Sequence, residues 1–284
     1  MPSPTFEWQG KTYSRDIRIV FSDIDGTLLR PDHELSAYTC DMLRQLPEHG
    51  IEFALATGRM PLGVYHLIDK IGIPTHLICL GGSLVRTKDS KTLVSETLSY
   101  EAAKAVIDTA HELWPEIVPS FFAGDDWFTS KLDAPCVKRE IDVVKARSAE
   151  HDLYDLLERG ILPHKLYFNC TQDRERCIVF ADALSQASNE IEVIRSLTGT
   201  HVEVMPLHVS KAKGAQVLLE HLHMTWDDAC SFGDDNNDLP MLQKAKLGVA
   251  LGNAAQPVKE KACAQTLSTK EDGLALFLDA LLHS

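Results

Sequence analysis

The hexapeptide Asp23-Ile24-Asp25-Gly26-Thr27-Leu28 constrains this chain most, because it sets two carboxylates at the end of a buried strand. The run before it, Ile17-Arg18-Ile19-Val20-Phe21, is short, apolar and rich in β-branched residues, and reads as a core strand. Side chains alternate along an extended chain, so Asp23 and Asp25 start on the same side. Gly26 then lets the backbone turn sharply away. Like charges this close need a cation, a shared proton or strong donors. Carboxylates at the carboxyl edge of a sheet are where open α/β folds put their chemistry. A plain turn closing a strand has the same composition, so the rest of the chain has to separate the two readings.

Downstream, Ser36 is placed to cap a helix running to about His49, with Leu35, Met42, Leu43 and Leu46 on its apolar face and Gly50 as its stop. Ile51–Ala56 reads as a second strand ending at Thr57-Gly58-Arg59, a helix follows from Pro61, and His76–Leu80 reads as a third strand. This rhythm predicts an α/β fold with a doubly wound parallel-sheet (Rossmann-like) core. From Leu84 to Glu203 the rhythm changes. Strand-like pieces at Thr92–Thr97, Trp127–Ser130, Lys165–Cys170 and His201–Val204 alternate with helical stretches at Tyr100–Leu113, Ala149–Glu158 and Asp173–Gln186. The doubly wound rhythm resumes at Lys211, and Ala229-Cys230-Ser231-Phe232 forms a strand into Gly233-Asp234-Asp235-Asn236-Asn237-Asp238. The expected organisation is an N-terminal extension over 1–16, a core domain over 17–83 and 205–284, and an inserted α+β cap domain over 84–204.

Charge and cysteine content narrow the function. A formal charge of −13 argues against a general nucleic-acid or anionic-membrane binder, yet leaves room for a phosphorylated small molecule. No apolar run approaches the ~20 residues needed to span a bilayer, and the first residues carry no secretory pattern. The seven cysteines show no CxxC pair and no zinc spacing, so they are expected to be reduced thiols of a cytoplasmic protein. Oligomeric state is not encoded in any motif.

Four features recur in order: Asp23-x-Asp25-Gly-Thr27, Thr57-Gly58-Arg59, Lys211, and Gly233-Asp234-x-x-Asn237-Asp238. Any one alone is weak. Together, in this order and context, they resemble the haloacid dehalogenase superfamily of aspartate-dependent phosphotransferases. The resemblance covers the chain after about Arg18 and is closest to the Cof-type phosphatases, whose α+β cap lies between the second and third motifs. Val249-Ala250-Leu251-Gly252-Asn253-Ala254, Val258-Lys259-Glu260 and Asp272-Gly273 are similar to that group as well.

The resemblance implies a Mg²⁺-dependent phosphatase acting on a small phosphorylated metabolite, sugar phosphates foremost, through an aspartyl-phosphate. It makes Asp23 the nucleophile and Asp25 the general acid and base. The carboxylates of Asp23 and Asp234 and the backbone carbonyl of Asp25 would hold Mg²⁺, an ion that prefers oxygen ligands. Thr57 and the Gly58 N–H would bind the phosphoryl group, Lys211 would hold it against Asp23, and Asn237 would add a donor. Asp238 would orient the metal's waters or Lys211. Arg59 could meet substrate or a cap carboxylate, and a surface ion pair suits it equally. Lys213-Gly214 also resembles the family's Lys-Gly step, but an ungapped count back from Asp234 lands on Lys211, with Val209-Ser210 before it. Gly81-Gly82 stands where the family often has Asn-Gly. In the cap, Trp127, Phe121, Phe122, Tyr167 and His164 are candidate specificity residues, although aromatics in strand-like pieces usually belong to the core, and Lys165 before an apolar strand has no assignable role.

Two other readings differ in class. A phosphomutase would use the same aspartyl chemistry and return the phosphoryl group to a sugar hydroxyl. A catalytically idle binding module would keep only the fold, against which the intact Asp23, Asp25, Lys211 and Asp234 argue. A P-type pump is disfavoured by the absent membrane span and by Asp25, where that family has lysine.

Overall fold

The structure, a computed structural model, describes residues 4–171, 173–196 and 199–283; Met1–Ser3 of the expected extension lie outside the described residues. Its backbone falls into two compact units. The first runs through Gly58, includes Tyr65–Val94 and resumes from Ser210; the second comprises Arg59–Val64 and Ser95–Val209.

An eight-stranded sheet organises the first unit, in the order Ala264–Gln265, Leu247–Ala250, Ala229–Gly233, Ile19–Ser22, Glu52–Ala56, His76–Cys79, Leu84–Arg86 and Thr92–Ser95. From Ala264–Gln265 through His76–Cys79 the neighbours are parallel, and Leu84–Arg86 turns back antiparallel to His76–Cys79. Ile19–Ser22 and Ala229–Gly233 lie side by side at its centre, with Ser22 opposite Phe232. All four residues of Ile19–Ser22 are buried, as expected for a parallel strand covered on both faces. The helix expected from Ser36 runs over Ala37–Gln45, with the Ser36 hydroxyl accepting from Thr39 N. It continues as a 3₁₀ turn over Pro47–His49, ended by Gly50. The sheet keeps the chain through Val94 because two short strands extend its edge before the second unit begins.

The second unit has a six-stranded sheet ordered Ala149–Glu150, Asp126–Thr129, Pro119–Ala123, Lys165–Asn169, His201–Pro206 and Ile191–Arg195. Its four adjacent pairs from Asp126–Thr129 through Ile191–Arg195 are antiparallel. Alternation sorts the two faces: Leu166, Phe168 and Phe121 join Val106, Ile107 and Phe180 in one apolar cluster under the helices Tyr100–Leu113 and Arg174–Leu184. Ser99 and Asp173 cap those helices through their side chains. Instead of one helix over Ala149–Glu158, Ala149–Glu150 adds a strand and the helix starts at Leu153. Asp152 decides that start by accepting from the N–H groups of Tyr154 and Asp155. The strand Pro119–Ala123 and the helix Pro135–Val144 are additions that the turn-like prolines at their starts conceal.

The residues ahead of the first core strand form a hairpin, Thr5–Trp8 paired with Lys11–Ser14. Phe6 is 2% exposed and meets Phe277 of the last helix edge-on, with ring centroids 5.5 Å apart. Trp8 packs on the same ring at 5.2 Å, and its Nε1 donates to the Gln265 carbonyl at 2.8 Å. The extension is therefore part of the first unit's packing. Phe6→Ala should cost about 3 kcal/mol, the usual scale for emptying a buried aromatic site. Urea unfolding followed by Trp fluorescence measures this, and an unchanged midpoint would make the hairpin a passenger.

Candidate active site

Strand ends deliver the acidic residues. Asp23 directly follows Ile19–Ser22, and its N–H donates to the Phe232 carbonyl of the neighbouring strand at 3.1 Å. Asp234 directly follows Ala229–Gly233, so the two carboxylates leave adjacent parallel strands at the same edge. Thr57 follows the strand on the other side, is 1% exposed, and is tied into the edge by Thr57 N to Ile78 O at 2.8 Å and Gly81 N to Thr57 O at 3.0 Å.

Lys211 opens the helix Lys211–His221, which Ser210 caps by accepting from Lys213 N. Gly82 brings this helix start against the sheet edge. Its φ of +108° is left-handed territory, and a Cβ there would collide with the Ser210 carbonyl. The consequence is that Lys211 is 3% exposed while Lys213 faces solvent. The Lys211 ammonium donates to Asp23 Oδ1 at 2.6 Å and to Asp238 Oδ1 at 2.7 Å, with Asn237 Oδ1 at 3.5 Å. Asp238 uses its other oxygen to accept from the N–H groups of Asp234 and Asp235, both at 3.1 Å. It thereby fixes the loop carrying Asp234 and the tip of Lys211 together.

The turn after Asp23 folds back on itself, with Leu28 N and Leu29 N donating to the Ile24 carbonyl at 3.0 and 2.9 Å. Gly26 has φ +85°, and any Cβ there would collide with the Asp234 carboxylate. Thr27 fastens the same carboxylate from the side, Oγ1 to Oδ1 at 2.8 Å. This contact was not anticipated from the motif, although a threonine following Asp-x-Asp-Gly is its only possible sequence signal. Asp25 differs from its neighbour: its side chain is 49% exposed against 8% for Asp23, and His33 Nδ1 lies 3.9 Å from its Oδ1.

Asp23, Asp25, Thr57, Gly58, Lys211, Asp234, Asn237 and Asp238 thus all belong to the first compact unit, whereas Arg59 belongs to the second. Arg59 is buried, at 8% exposed, and its Nη1 reaches the Gly63 carbonyl at 3.4 Å. In the second unit Phe121 is core, and Phe122 and Trp127 are buried against each other at 5.5 Å. His164 holds Ser95 through Nε2 at 2.9 Å and accepts from Gly124 N at 3.1 Å. Lys165, also buried, pairs with Glu203 at 2.8 Å, and Tyr167 stacks on His201 at 5.2 Å.

Charge is short at the sheet edge. Burial pushes the Asp23 carboxyl well above its ordinary range; Lys211 opposes this, and Asp238 and Asp25 reinforce it. Burial also works against the Lys211 ammonium, but Asp23 and Asp238 outweigh it and hold the lysine above its usual value. Asp234 is pushed up to about 6, chiefly by burial, against the pull of the Thr27 hydroxyl. Asp23, Asp234 and Asp238 can bring one oxygen each within 4.8 Å of one another. Three carboxylates against one ammonium leave two negative charges over. An all-oxygen set with that excess, without histidine or cysteine, fits a hard divalent cation such as Mg²⁺. Because Lys211 and two backbone N–H groups already occupy both oxygens of Asp238, Asp23 and Asp234 are its better carboxylate ligands.

The sequence profile of haloacid dehalogenase-like hydrolases matches residues 20–278. An HMP-PP phosphatase of Yersinia pseudotuberculosis is 29% identical over 248 residues, spanning 86% of this chain and 87% of its own. A haloacid dehalogenase-like hydrolase from Bacteroides thetaiotaomicron superposes with a TM-score of 0.84 at 26% identity, covering 93% of this chain and 98% of its own. A Thermotoga maritima protein superposes with a TM-score of 0.82 at 26% identity, covering 93% of this chain and 97% of its own.

The charge shortage has a measurable consequence in metal-free protein. Asp234 has a folded-state pKa of about 6, above its ordinary 3.8, so its contribution to stability is full below 3.8 and is lost as pH rises through about 6. EDTA-treated wild type should therefore lose on the order of 2 kcal/mol relative to Asp234→Asn between about pH 4 and about pH 7.5. Added Mg²⁺ should restore the wild type and leave the variant unchanged. Urea denaturation across pH measures both, and parallel curves for the two proteins would contradict the charge shortage.

Proposed function

The chain belongs to the haloacid dehalogenase-like hydrolases and is a phosphatase, and from that premise we propose that it is Mg²⁺-dependent and cleaves a small phosphorylated metabolite through an aspartyl-phosphate. The observation that carries this reading is the buried Lys211 ammonium shared between Asp23 and Asp238, beside Asp234 and at the edge that also presents Thr57. A site built this way neutralises and orients a phosphoryl group more than it does covalent work, which is what phosphoryl transfer requires.

In the proposed reaction an Asp23 carboxylate oxygen attacks phosphorus, and the bond from phosphorus to the ester oxygen breaks. Asp25 protonates the leaving oxygen; its exposed side chain suits proton exchange at the open side, as the buried Asp23 suits attack. Asp25 then takes a proton from water, which attacks phosphorus, releasing inorganic phosphate and restoring Asp23. The Thr57 hydroxyl, the Gly58 N–H and the Asn237 amide donate to the phosphoryl oxygens, and Lys211 holds them against Asp23. Asp238 keeps Lys211 in place. Mg²⁺, held by the carboxylates of Asp23 and Asp234 and the Asp25 carbonyl, supplies the remaining positive charge.

All of these groups read phosphate, so selection among substrates falls to the second unit, which we take to be the cap. Sugar phosphates are the first class to screen, with HMP-PP beside them because a relative bears that name. Cytoplasmic location goes with this reading, and among the described residues no helix is long and apolar enough to cross a membrane.

Asp23→Asn should lower turnover of p-nitrophenyl phosphate by at least about 10³-fold while keeping the circular dichroism spectrum of the folded protein. EDTA should abolish wild-type turnover and Mg²⁺ should restore it. Retained turnover in Asp23→Asn would sink the aspartyl-phosphate mechanism. Isomer formation without free phosphate, on any sugar phosphate, would replace the phosphatase by a mutase.

A further inference from the structure

The stretch Leu251-Gly252-Asn253-Ala254 has no part in the chemistry above, yet it touches both acidic loops. Leu251 N donates to the Gly233 carbonyl at 3.2 Å, and Ala255 N donates to the Asp234 carbonyl at 3.2 Å. Between them, Asn253 reaches the other side. Its Nδ2 donates to the Gly26 carbonyl at 2.7 Å, and its Oδ1 accepts from Thr269 N at 3.0 Å. The second bond settles the first, because only the amide oxygen can accept from a backbone N–H, and this leaves the amide nitrogen to donate to a carbonyl.

Within the turn the N–H groups of Thr27, Leu28 and Leu29 all point at the Ile24 carbonyl, and the Gly26 carbonyl is reached from outside by Asn253. Gly26 contributes no side chain and sits at φ +85°, and a Cβ there would run into the Asp234 carboxylate. Thr27, the next residue, is fastened to that same carboxylate. The peptide joining Gly26 to Thr27 is therefore held on one side by Asn253 and on the other by the Thr27 hydroxyl. Its rotation would carry Asp25 and Thr27 out of register with Asp234.

We infer that Asn253 is a positioning residue for this reaction: through the Gly26 carbonyl it sets the spacing between the turn that bears Asp25 and the loop that bears Asp234. The inference rests on the roles proposed for Asp25 and Asp234. Asn253 itself is solvent-exposed and touches no reacting atom, so its removal leaves the core intact.

Two variants separate positioning from plain stabilisation. Asn253→Ala loses both hydrogen bonds. Asn253→Asp keeps the acceptor for Thr269 but turns a carboxylate toward the Gly26 carbonyl, which repels it. Positioning predicts that both lower kcat for p-nitrophenyl phosphate by about 10–100-fold, with the aspartate at least as damaging as the alanine. KM should stay within about twofold of wild type. Calorimetric titration with Mg²⁺ alone, without substrate, should show weaker binding in both variants. A merely structural role through Thr269 predicts the reverse order, with Asn253→Asp close to wild type. Wild-type kcat and Mg²⁺ affinity in Asn253→Asp would overturn the inference. Should wild type fail to turn over p-nitrophenyl phosphate, that would count against the phosphatase reading alone. The Mg²⁺ titrations would then still decide for Asn253, weaker binding supporting it and unchanged binding overturning it.

Discussion

One buried ammonium shared between two carboxylates is the constraint on which the sheet edge depends. Burying any of these groups alone is costly, and an ion pair recovers that cost only where geometry is good and the remaining donors and acceptors are used. Here the geometry comes from three separate parts of the chain. Asp23 is set by a central strand, Asp238 by the loop after the adjacent strand, and Lys211 by a capped helix start. Asp238 satisfies two backbone N–H groups with the oxygen that Lys211 does not take, so the loop that holds Asp234 is tied to the same centre. Moving one partner would leave a buried charge unmatched, and this rigidity is what pre-organised electrostatic catalysis needs.

The parallel sheet makes that arrangement possible. Adjacent parallel strands end at the same edge, so residues that follow each strand converge without long-range packing of their own. This is why the order of strand-like runs places Asp23, Thr57 and Asp234 at strand ends, while the roles expected of them came with the family resemblance. Lys211 needed more than pattern, because two lysines two residues apart have the same composition. The fold separates them by pressing the helix start against Gly82, so that one lysine points in and the other out.

Other parts were hidden for physical reasons. The hairpin over Thr5–Ser14 is too short for a clear alternation and draws its stability from aromatic packing on Phe277, a partner more than 260 residues away in sequence. Pro119–Ala123 begins with proline and the helix Pro135–Val144 has one at its first turn, both of which read as loop punctuation. Arg59 shows a different limit. Its position after Thr57-Gly58 pointed to the phosphate edge, whereas the short segment Arg59–Val64 is grouped with the second unit, a division that no motif marks.

The same logic fits the different roles proposed for the exposed Asp25 and the buried Asp23, which share one turn. An acid that exchanges protons with a leaving group and with water gains from access, and a nucleophile aimed at phosphorus gains from exclusion of water. The strand ends at Ser22, ahead of both carboxylates, and the turn that follows leaves Asp23 buried and Asp25 exposed. That separation depends on how far the turn is allowed to move. Gly26 supplies the freedom to make it, and the Asp234 carboxylate beneath and the Asn253 amide beside it remove that freedom again. A glycine is thus required for the turn, and contacts from distant loops are required to hold it in one shape.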